Sequence, residues 1–280
     1  MEPVKLWWTT PRYQKLFAWY LTSQDKPKAV ICLVHGHGEH SWRYLDWAKR
    51  FADKGYAFLS WDHIGHGLSD GQRGHVWLYE QLLLEIDLAL TKAGEYFPNI
   101  PVFLYGHSMG GNIVLNHALR RCCRVDGIII TSPWLKLAKP VPSYLNFLMS
   151  LFNIIIPILP VKSTVKPSEI SHIEEEVRKY TMDPIIHSWI TPRLFTSIKW
   201  SSMYFIKNAS KLKNKVLILH GEEDSITSFG LSREVSNLIP NCRFIPYPGM
   251  YHELHNETIK DKVFEDLISW IESVMNTKTL

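Results

Sequence analysis

Gly106-His107-Ser108-Met109-Gly110, with Gly111 behind it, decides the fold. The stretch follows directly on the apolar run Val102–Tyr105 and opens a helical pattern over Gly111–Arg121. A serine flanked by glycines at a strand-to-helix junction marks a sharp, strained turn that lifts the hydroxyl above the sheet. Side chains at the flanking positions would not fit in such a turn. Ser108 is the candidate nucleophile.

Outward from this turn, short apolar runs recur at Ala29–Val34, Ala57–Trp61, Gly127–Thr131, Val216–Leu219 and Arg243–Tyr247. Most are unbroken rather than alternating, the pattern of strands buried on both faces of a parallel sheet. Helical patterns fall between them at Trp42–Lys54, Leu78–Tyr96, Gly230–Leu238 and Ile259–Met275. Strand–helix alternation of this kind predicts an α/β sandwich with right-handed crossovers. The aromatic-rich segment Lys5–Tyr20 predicts antiparallel edge strands. Between Thr131 and Val216 the alternation stops, and prolines at 133, 140, 142, 157, 160, 167, 184 and 192 break the chain into helical patches. That stretch reads as an insertion.

The 280 residues are 46% hydrophobic and 21% charged, an ordinary globular balance with material for a sizeable core. The net charge of +4 is scattered, without a basic run interleaved with aromatics, so no nucleic-acid partner is expected. The N-terminus lacks a basic segment followed by an apolar one, so no secretory leader is expected. The apolar stretch from Tyr144 to Leu159 is interrupted by Asn146, Ser150, Asn153 and Pro157 and is too short to span a bilayer. Of four cysteines, Cys32 sits in an apolar run, and Cys122, Cys123 and Cys242 form no C-x-x-C. A reduced, cytoplasmic setting is the expectation.

A serine hydroxyl needs a base and a group that orients the base. In hydrolases built around this turn the order along the chain is serine, acid, histidine, each after a later strand. Val216–Leu219 is followed by His220-Gly221-Glu222-Glu223-Asp224. Asp224, past the turn, is the expected acid, with Glu222 and Glu223 as alternatives facing solvent. Arg243–Tyr247 is followed by Pro248-Gly249-Met250-Tyr251-His252, so His252 is the expected base and His255 the fallback. His220, at a strand end, reads as a satisfied core residue. Acyl transfer also needs donors for the oxyanion. The backbone N–H groups of Met109, just after the nucleophile, and of His37, in the loop His35-Gly36-His37-Gly38-Glu39-His40, fit that role. The i, i+2, i+5 spacing of His35, His37 and His40 lacks a carboxylate partner or thiol pair, so neither a metal nor another cofactor is expected. Trp61-Asp62-His63-Ile64-Gly65-His66-Gly67-Leu68-Ser69 reads as a tight turn braced by side-chain hydrogen bonds.

Taken together, H-G-H-G-E-H at 35–40, D-H-I-G-H-G-L-S-D-G at 62–71, Y-G-H-S-M-G-G at 105–111, M-D-P-I at 182–185, G-E-E-D at 221–224 and Y-P-G-M-Y-H-E-L-H-N-E at 247–257 resemble the monoacylglycerol lipase and lysophospholipase branch of the α/β hydrolases. The resemblance implies an α/β-hydrolase fold: a mostly parallel central sheet flanked by helices, with a mainly helical cap. Residues 1–132 and 211–280 would form the core and 133–210 the cap. It implies a carboxylic ester hydrolase with Ser108, Asp224 and His252 as the triad and His37 and Met109 as oxyanion donors. A lysophospholipase, thioesterase or general carboxylesterase on the same fold is the alternative, and a silent ligand-binding protein a remoter one.

Within the cap, Ser143, Asn146, Ser150 and Asn153 form one narrow polar stripe on a helix that is otherwise Leu, Phe, Met and Ile. The wide apolar remainder is expected either to pack onto the body or to line an acyl tunnel through Phe147, Leu148, Leu151 and Phe152 and touch a membrane surface peripherally, two compatible readings. The expected partner is a small amphiphilic lipid ester.

Overall fold

The computed structural model describes residues 1–23, 25–121 and 123–277. Cys122 therefore lies outside the described residues. The chain opens with β1 (Val4–Thr9), β2 (Lys15–Leu21) and β3 (Val30–Val34), then α1 (Leu45–Asp53), β4 (Ala57–Trp61) and α2 (Tyr79–Tyr96). β5 (Val102–His107), α3 (Met109–Arg120) and β6 (Gly127–Thr131) follow. The stretch between β6 and the next sheet strand carries α4 (Ser143–Ile155), β7 (Val161–Lys162), α5 (Glu174–Met182), β8 (Trp189–Ile190) and α6 (Pro192–Asn208). The chain then closes with β9 (Val216–Gly221), α7 (Phe229–Leu238), β10 (Cys242–Tyr247) and α8 (Lys260–Asn276).

Eight strands form one sheet in the order β1-β2-β4-β3-β5-β6-β9-β10. The segment expected to give edge strands does so: β1 pairs antiparallel with β2 and β2 antiparallel with β4, while every later neighbour is parallel. β7 and β8 form a separate antiparallel ribbon in the insertion. The unbroken apolar runs follow from two cores, one on each face of the sheet. Cys32, Leu104, Ile130 and Ile218 point to one face, where they meet Ile86 of α2, Ile113 of α3, Val235 of α7 and Ile198 of α6. Their chain neighbours Leu33, Phe103, Ile129 and Leu217 point to the other, against Phe51 of α1 and Leu267 of α8. With side chains alternating along a strand, both sets must be apolar.

Two of the boundaries that differ from the sequence reading bear on the site. β5 runs on through Gly106 and His107, and α3 begins at Met109, not Gly111. The turn between them is therefore one residue long. The expected helix Trp42–Lys54 starts instead as a 3-10 turn over Ser41–Tyr44, because Asp62 accepts both the N–H and the hydroxyl of Ser41, at 2.8 and 2.6 Å, and tightens the entry.

Candidate active site

Ser108 is that single turn residue, with φ 53° and ψ −115°. A non-glycine residue adopts such a conformation only where its surroundings enforce it. Its N–H donates to the Thr131 carbonyl at 3.0 Å, and its own carbonyl accepts from Trp134 N–H at 2.8 Å. The glycines are set by close approach: a Cβ at Gly106 would lie 2.6 Å from the Gly110 carbonyl oxygen, and one at Gly110 would run into the carbonyl of Val34. The letters G-x-S-x-G occur a second time, at Gly67-Leu68-Ser69-Asp70-Gly71. There the serine is buried and structural, donating to the Asp62 carbonyl at 2.6 Å and accepting from Phe17 N–H at 2.9 Å. Only the strand–helix context separates the two motifs.

Ser108 and His252 open on one cavity of about 230 Å³, which also takes His37 of the loop after β3. His252 donates from Nδ1 to Oδ2 of Asp224 at 2.7 Å, leaving Nε2 as the atom that can face a hydroxyl. Glu222 and Glu223 are exposed, whereas Asp224 is buried, so the three neighbouring carboxylates separate as expected. His255 is buried beneath Tyr44, its ring stacked at 4.6 Å, and does not bond to Asp224. Met109 is the first residue of α3, where helical N–H groups lack an intrahelical partner. The structure thus brings Ser108, His252, Asp224, His37 and Met109 to the C-terminal edge of the parallel strands.

Electrostatics keep these groups in distinct states. Burial would raise the Asp224 carboxyl, but the charge of His252 and the hydrogen bonds from His220 and His252 hold it well below the usual carboxylate range. Burial alone would lower the His252 imidazole; the charge of Asp224, its hydrogen bond, Glu253 and Glu39 outweigh burial and raise it. Burial, with His187 beside it, pulls His37 down to about 3, so its ring is uncharged at neutral pH.

A buried charge cluster that the sequence reading passed over braces the two loops. Glu39 Oε1 accepts from Gly36 N–H at 2.6 Å and from the Tyr44 hydroxyl at 2.9 Å, fixing the loop that carries His37. Arg43 bridges Glu39 at 2.6 Å to Glu253, the residue after His252, and its guanidinium lies 4.9 Å from the Tyr180 ring of α5. The signal was present in E-H-x-x-R at 39–43, but an acidic and a basic residue four apart on a helix usually form a solvent-exposed pair. His35, His37 and His40 do separate work: His35 accepts from His63 N–H at 2.9 Å, His37 meets the Trp189 carbonyl at 3.1 Å, and His40 pairs with Asp183 at 2.8 Å. Among the described residues no group of three or more His, Cys, Asp or Glu is arranged to hold a metal ion. The D-H-I-G-H-G segment is the braced turn expected, with Asp62 Oδ2 accepting from Leu68 N–H at 2.8 Å and Glu85 holding His63 at 2.5 Å.

The insertion is fastened to both loops. His187 N–H donates to the Gly38 carbonyl at 2.8 Å, and Glu253 N–H donates to the Ile170 carbonyl at 2.8 Å. Its helix α4 corrects one expectation. The cavity wall takes Leu145 and Met149 from this helix, whereas Phe147, Leu148, Leu151 and Phe152 do not bound it. The physical reason is the helix's rotation. Asn146 and Asn153, the long members of the polar stripe, turn inward against α6, where Lys199 Nζ donates to Asn146 at 3.4 Å and Arg193 to the Asn153 carbonyl at 3.5 Å. The apolar arc beside that edge then faces the cavity, and Phe147, 67% exposed, and Ile154, 80% exposed, face outward.

Comparison with known proteins identifies the family of the chain. The family model described as "Serine aminopeptidase, S33" matches residues 25–259. Human monoglyceride lipase is 30% identical over 266 residues, covering 92% of this chain and 87% of that protein. An uncharacterised abhydrolase domain-containing protein of Dictyostelium discoideum is 31% identical over 262 residues; the match covers 92% of this chain and 28% of that longer protein. The crystal structure of Paleococcus ferrophilus monoacylglycerol lipase superimposes with a TM-score of 0.85 at 28% identity, covering 92% of this chain and 99% of that one. The chain belongs to the serine aminopeptidase S33 family and is a serine hydrolase of the α/β-hydrolase fold.

Proposed function

We propose that the protein cleaves the ester bond of monoacylglycerol-like lipids through an acyl-enzyme on Ser108. The observation that carries the reading is Ser108 in its enforced backbone conformation, opening on an apolar-walled cavity with His252, which is bonded to Asp224. His252 takes the Ser108 proton as the hydroxyl attacks the carbonyl carbon. Asp224 fixes the imidazole tautomer and stabilises its cation, and the N–H groups of His37 and Met109 hold the oxyanion. The alcohol leaves with the proton from His252, and water then releases the fatty acid.

The relatives named for monoacylglycerol cleavage support glycerol as the alcohol, and the wall of Trp134, Leu137, Leu145 and Met149 suits an acyl chain. Residues 133–210 act as the cap. Its outer face, with Tyr144, Phe147 and Ile154 exposed, supports peripheral contact with a lipid surface. Among the described residues no helix is long and apolar enough to cross a membrane. Free thiols at Cys32, Cys123 and Cys242 support a reducing, cytoplasmic setting. The test is a panel of monoacyl-, diacyl- and triacylglycerols, lysophospholipids and acyl thioesters, compared by kcat/KM. Highest efficiency on monoacylglycerols supports the reading, and a preference for lysophospholipids or thioesters overturns it.

A further inference from the structure

His220 is fully buried near the end of β9, and its Nε2 lies 3.0 Å from Oδ2 of Asp224. The same oxygen takes His252 Nδ1 at 2.7 Å and the Thr227 hydroxyl at 2.8 Å. Oδ1 is occupied separately, by the N–H groups of Ile226 at 2.8 Å and Thr227 at 2.9 Å. Two imidazoles therefore share one carboxylate oxygen, with the Thr227 hydroxyl 3.4 Å from each ring. The other nitrogen of His220, Nδ1, is buried with no partner among the described residues. Its ring stands edge-on to Phe229 at 5.8 Å, which fixes its plane. The four strand residues before it, Val216, Leu217, Ile218 and Leu219, are all apolar. A side chain serving only to fill this place would be apolar too, since a buried nitrogen without a partner is destabilising. The shortest polar contact of the ring is to Asp224, with the Thr227 hydroxyl the more distant one.

We propose that His220 is a positioning residue for the hydrolytic reaction, acting through Asp224 on His252; this rests on the Ser108–His252–Asp224 reading. By donating to the oxygen that His252 uses, it holds the carboxylate in place and draws off part of its negative charge. Without that donor Asp224 would stabilise the His252 cation more strongly, and His252 would remain protonated to higher pH. The other ionisable groups around His252 are His107 at the end of β5, Glu39 and Arg43 after β3, and Glu253 and His255 on its own loop. Substitution of His220 leaves all of these in place. Because a working base must be unprotonated, the ascending limb of kcat/KM against pH then moves upward.

The experiment compares His220→Leu, His220→Gln and Thr227→Val with the unaltered protein, using a soluble short-chain ester. Fluorophosphonate titration counts competent sites, so rates refer to folded enzyme. His220→Leu is expected to move the ascending limb up by about one pH unit and to lower kcat about tenfold. His220→Gln, whose amide can donate from nearly the same place, is expected to restore the limb. Thr227→Val removes another donor to the same oxygen and is expected to shift the limb in the same direction, which keeps the test open if His220→Leu does not fold. An unmoved limb in the variants that fold, or a Gln variant as displaced as the Leu variant, overturns the proposal. Asp224→Asn separates the two levels. If that variant is fully active, the triad reading fails; if it is crippled while the limb stays unmoved in the other variants, only the role of His220 fails.

Discussion

Arg43 grips Glu253 with both arms of its guanidinium, Nη1 to Oε1 at 2.6 Å and Nη2 to Oε2 at 2.8 Å. The second contact of Nη1, to Glu39 at 2.6 Å, makes one buried cation the common anchor of the loop that carries His37 and the loop that carries His252. Burial would raise the Glu253 carboxyl, but Arg43 holds it well below its ordinary value. Removing the cation leaves two carboxylates buried without compensation. Arg43→Met should therefore destabilise the protein by about 3–5 kcal/mol, read as a fall in the urea midpoint. A midpoint within experimental error of the original would show that the cluster contributes little.

The elbow predicts a separation of activity from stability. Ser108→Ala should abolish ester hydrolysis and fluorophosphonate labelling while keeping the fold. Ser108→Gly should be equally inactive yet more stable than the Ala variant, by about 1 kcal/mol, because glycine accepts a φ of 53° without strain. Differential scanning calorimetry of the two variants checks this. A full-strength fluorophosphonate label on Ser108→Ala would move the nucleophile elsewhere.

Asp224→Asn should lower kcat by roughly 10⁴, since the amide would present the wrong partner to His252. Glu222→Gln and Glu223→Gln should change it by less than about twofold, because both side chains are exposed. The comparison is a steady-state assay on one ester. A crippled Glu223→Gln with an active Asp224→Asn would reassign the acid.

Acid should weaken the fold well above the carboxylate range. Burial lowers His35, His66 and His107 well below 6.5, His37 to about 3 and His255 to about 4. Below pH 6.5 the unfolded chain binds protons at these positions and the folded chain does not, so stability falls with pH. Each such group contributes a slope of about 1.4 kcal/mol per pH unit until its folded value is reached. His252 has the opposite sign: its raised value adds stability that is full below 6.5 and lost as pH rises through the folded value. One group against five leaves the acid loss dominant. Asp224 and Glu253, both lowered, add a second loss as pH falls below the usual carboxylate range. Urea midpoints should drop steadily from pH 6.5 to 5; a flat profile over that range would mean that these imidazoles titrate alike in both states.

The fold was legible because strand burial, turn chemistry and helix period agree locally at each step. The run Val102–Tyr105, the glycines at 106 and 110 and the helix behind them need no distant information. Ser108, Asp224 and His252 stand out as candidates for the same reason, each lying just past an apolar strand. Arg43, Glu253 and His220 were not, because their meaning lies in partners: Arg43 meets a carboxylate 210 positions away, and His220 looks like any strand-end histidine until Asp224 folds back on it. The rotation of α4 was hidden for a related reason. Its polar stripe defines an edge, but whether that edge faces solvent or α6 depends on Lys199 and Arg193, which belong to another helix.

That rotation divides the apolar surface of α4 into two faces with separable roles. Leu145 and Met149 reach the cavity, while Phe147 and Ile154 point away from it. A buried Leu or Met side chain is worth about 1.5–3 kcal/mol in apolar contact. Changing Leu145 and Met149 together to Ser should lower kcat/KM for a long-chain monoacylglycerol by about 10²-fold or more, since 1.4 kcal/mol corresponds to a factor of ten. A butyrate ester, too short to touch both, should be hydrolysed nearly as before and so serves as the control for folding. Phe147→Ser with Ile154→Ser should leave both substrates unaffected when they are presented in solution below micellar concentration. The same pair should weaken sedimentation with phospholipid vesicles and slow hydrolysis of substrate embedded in them. If the outer pair instead reduced turnover of dissolved long-chain substrate as much as the inner pair, the cavity would extend around the helix. If the inner pair impaired the butyrate ester equally, Leu145 and Met149 would be packing residues of the cap rather than contacts of the acyl chain.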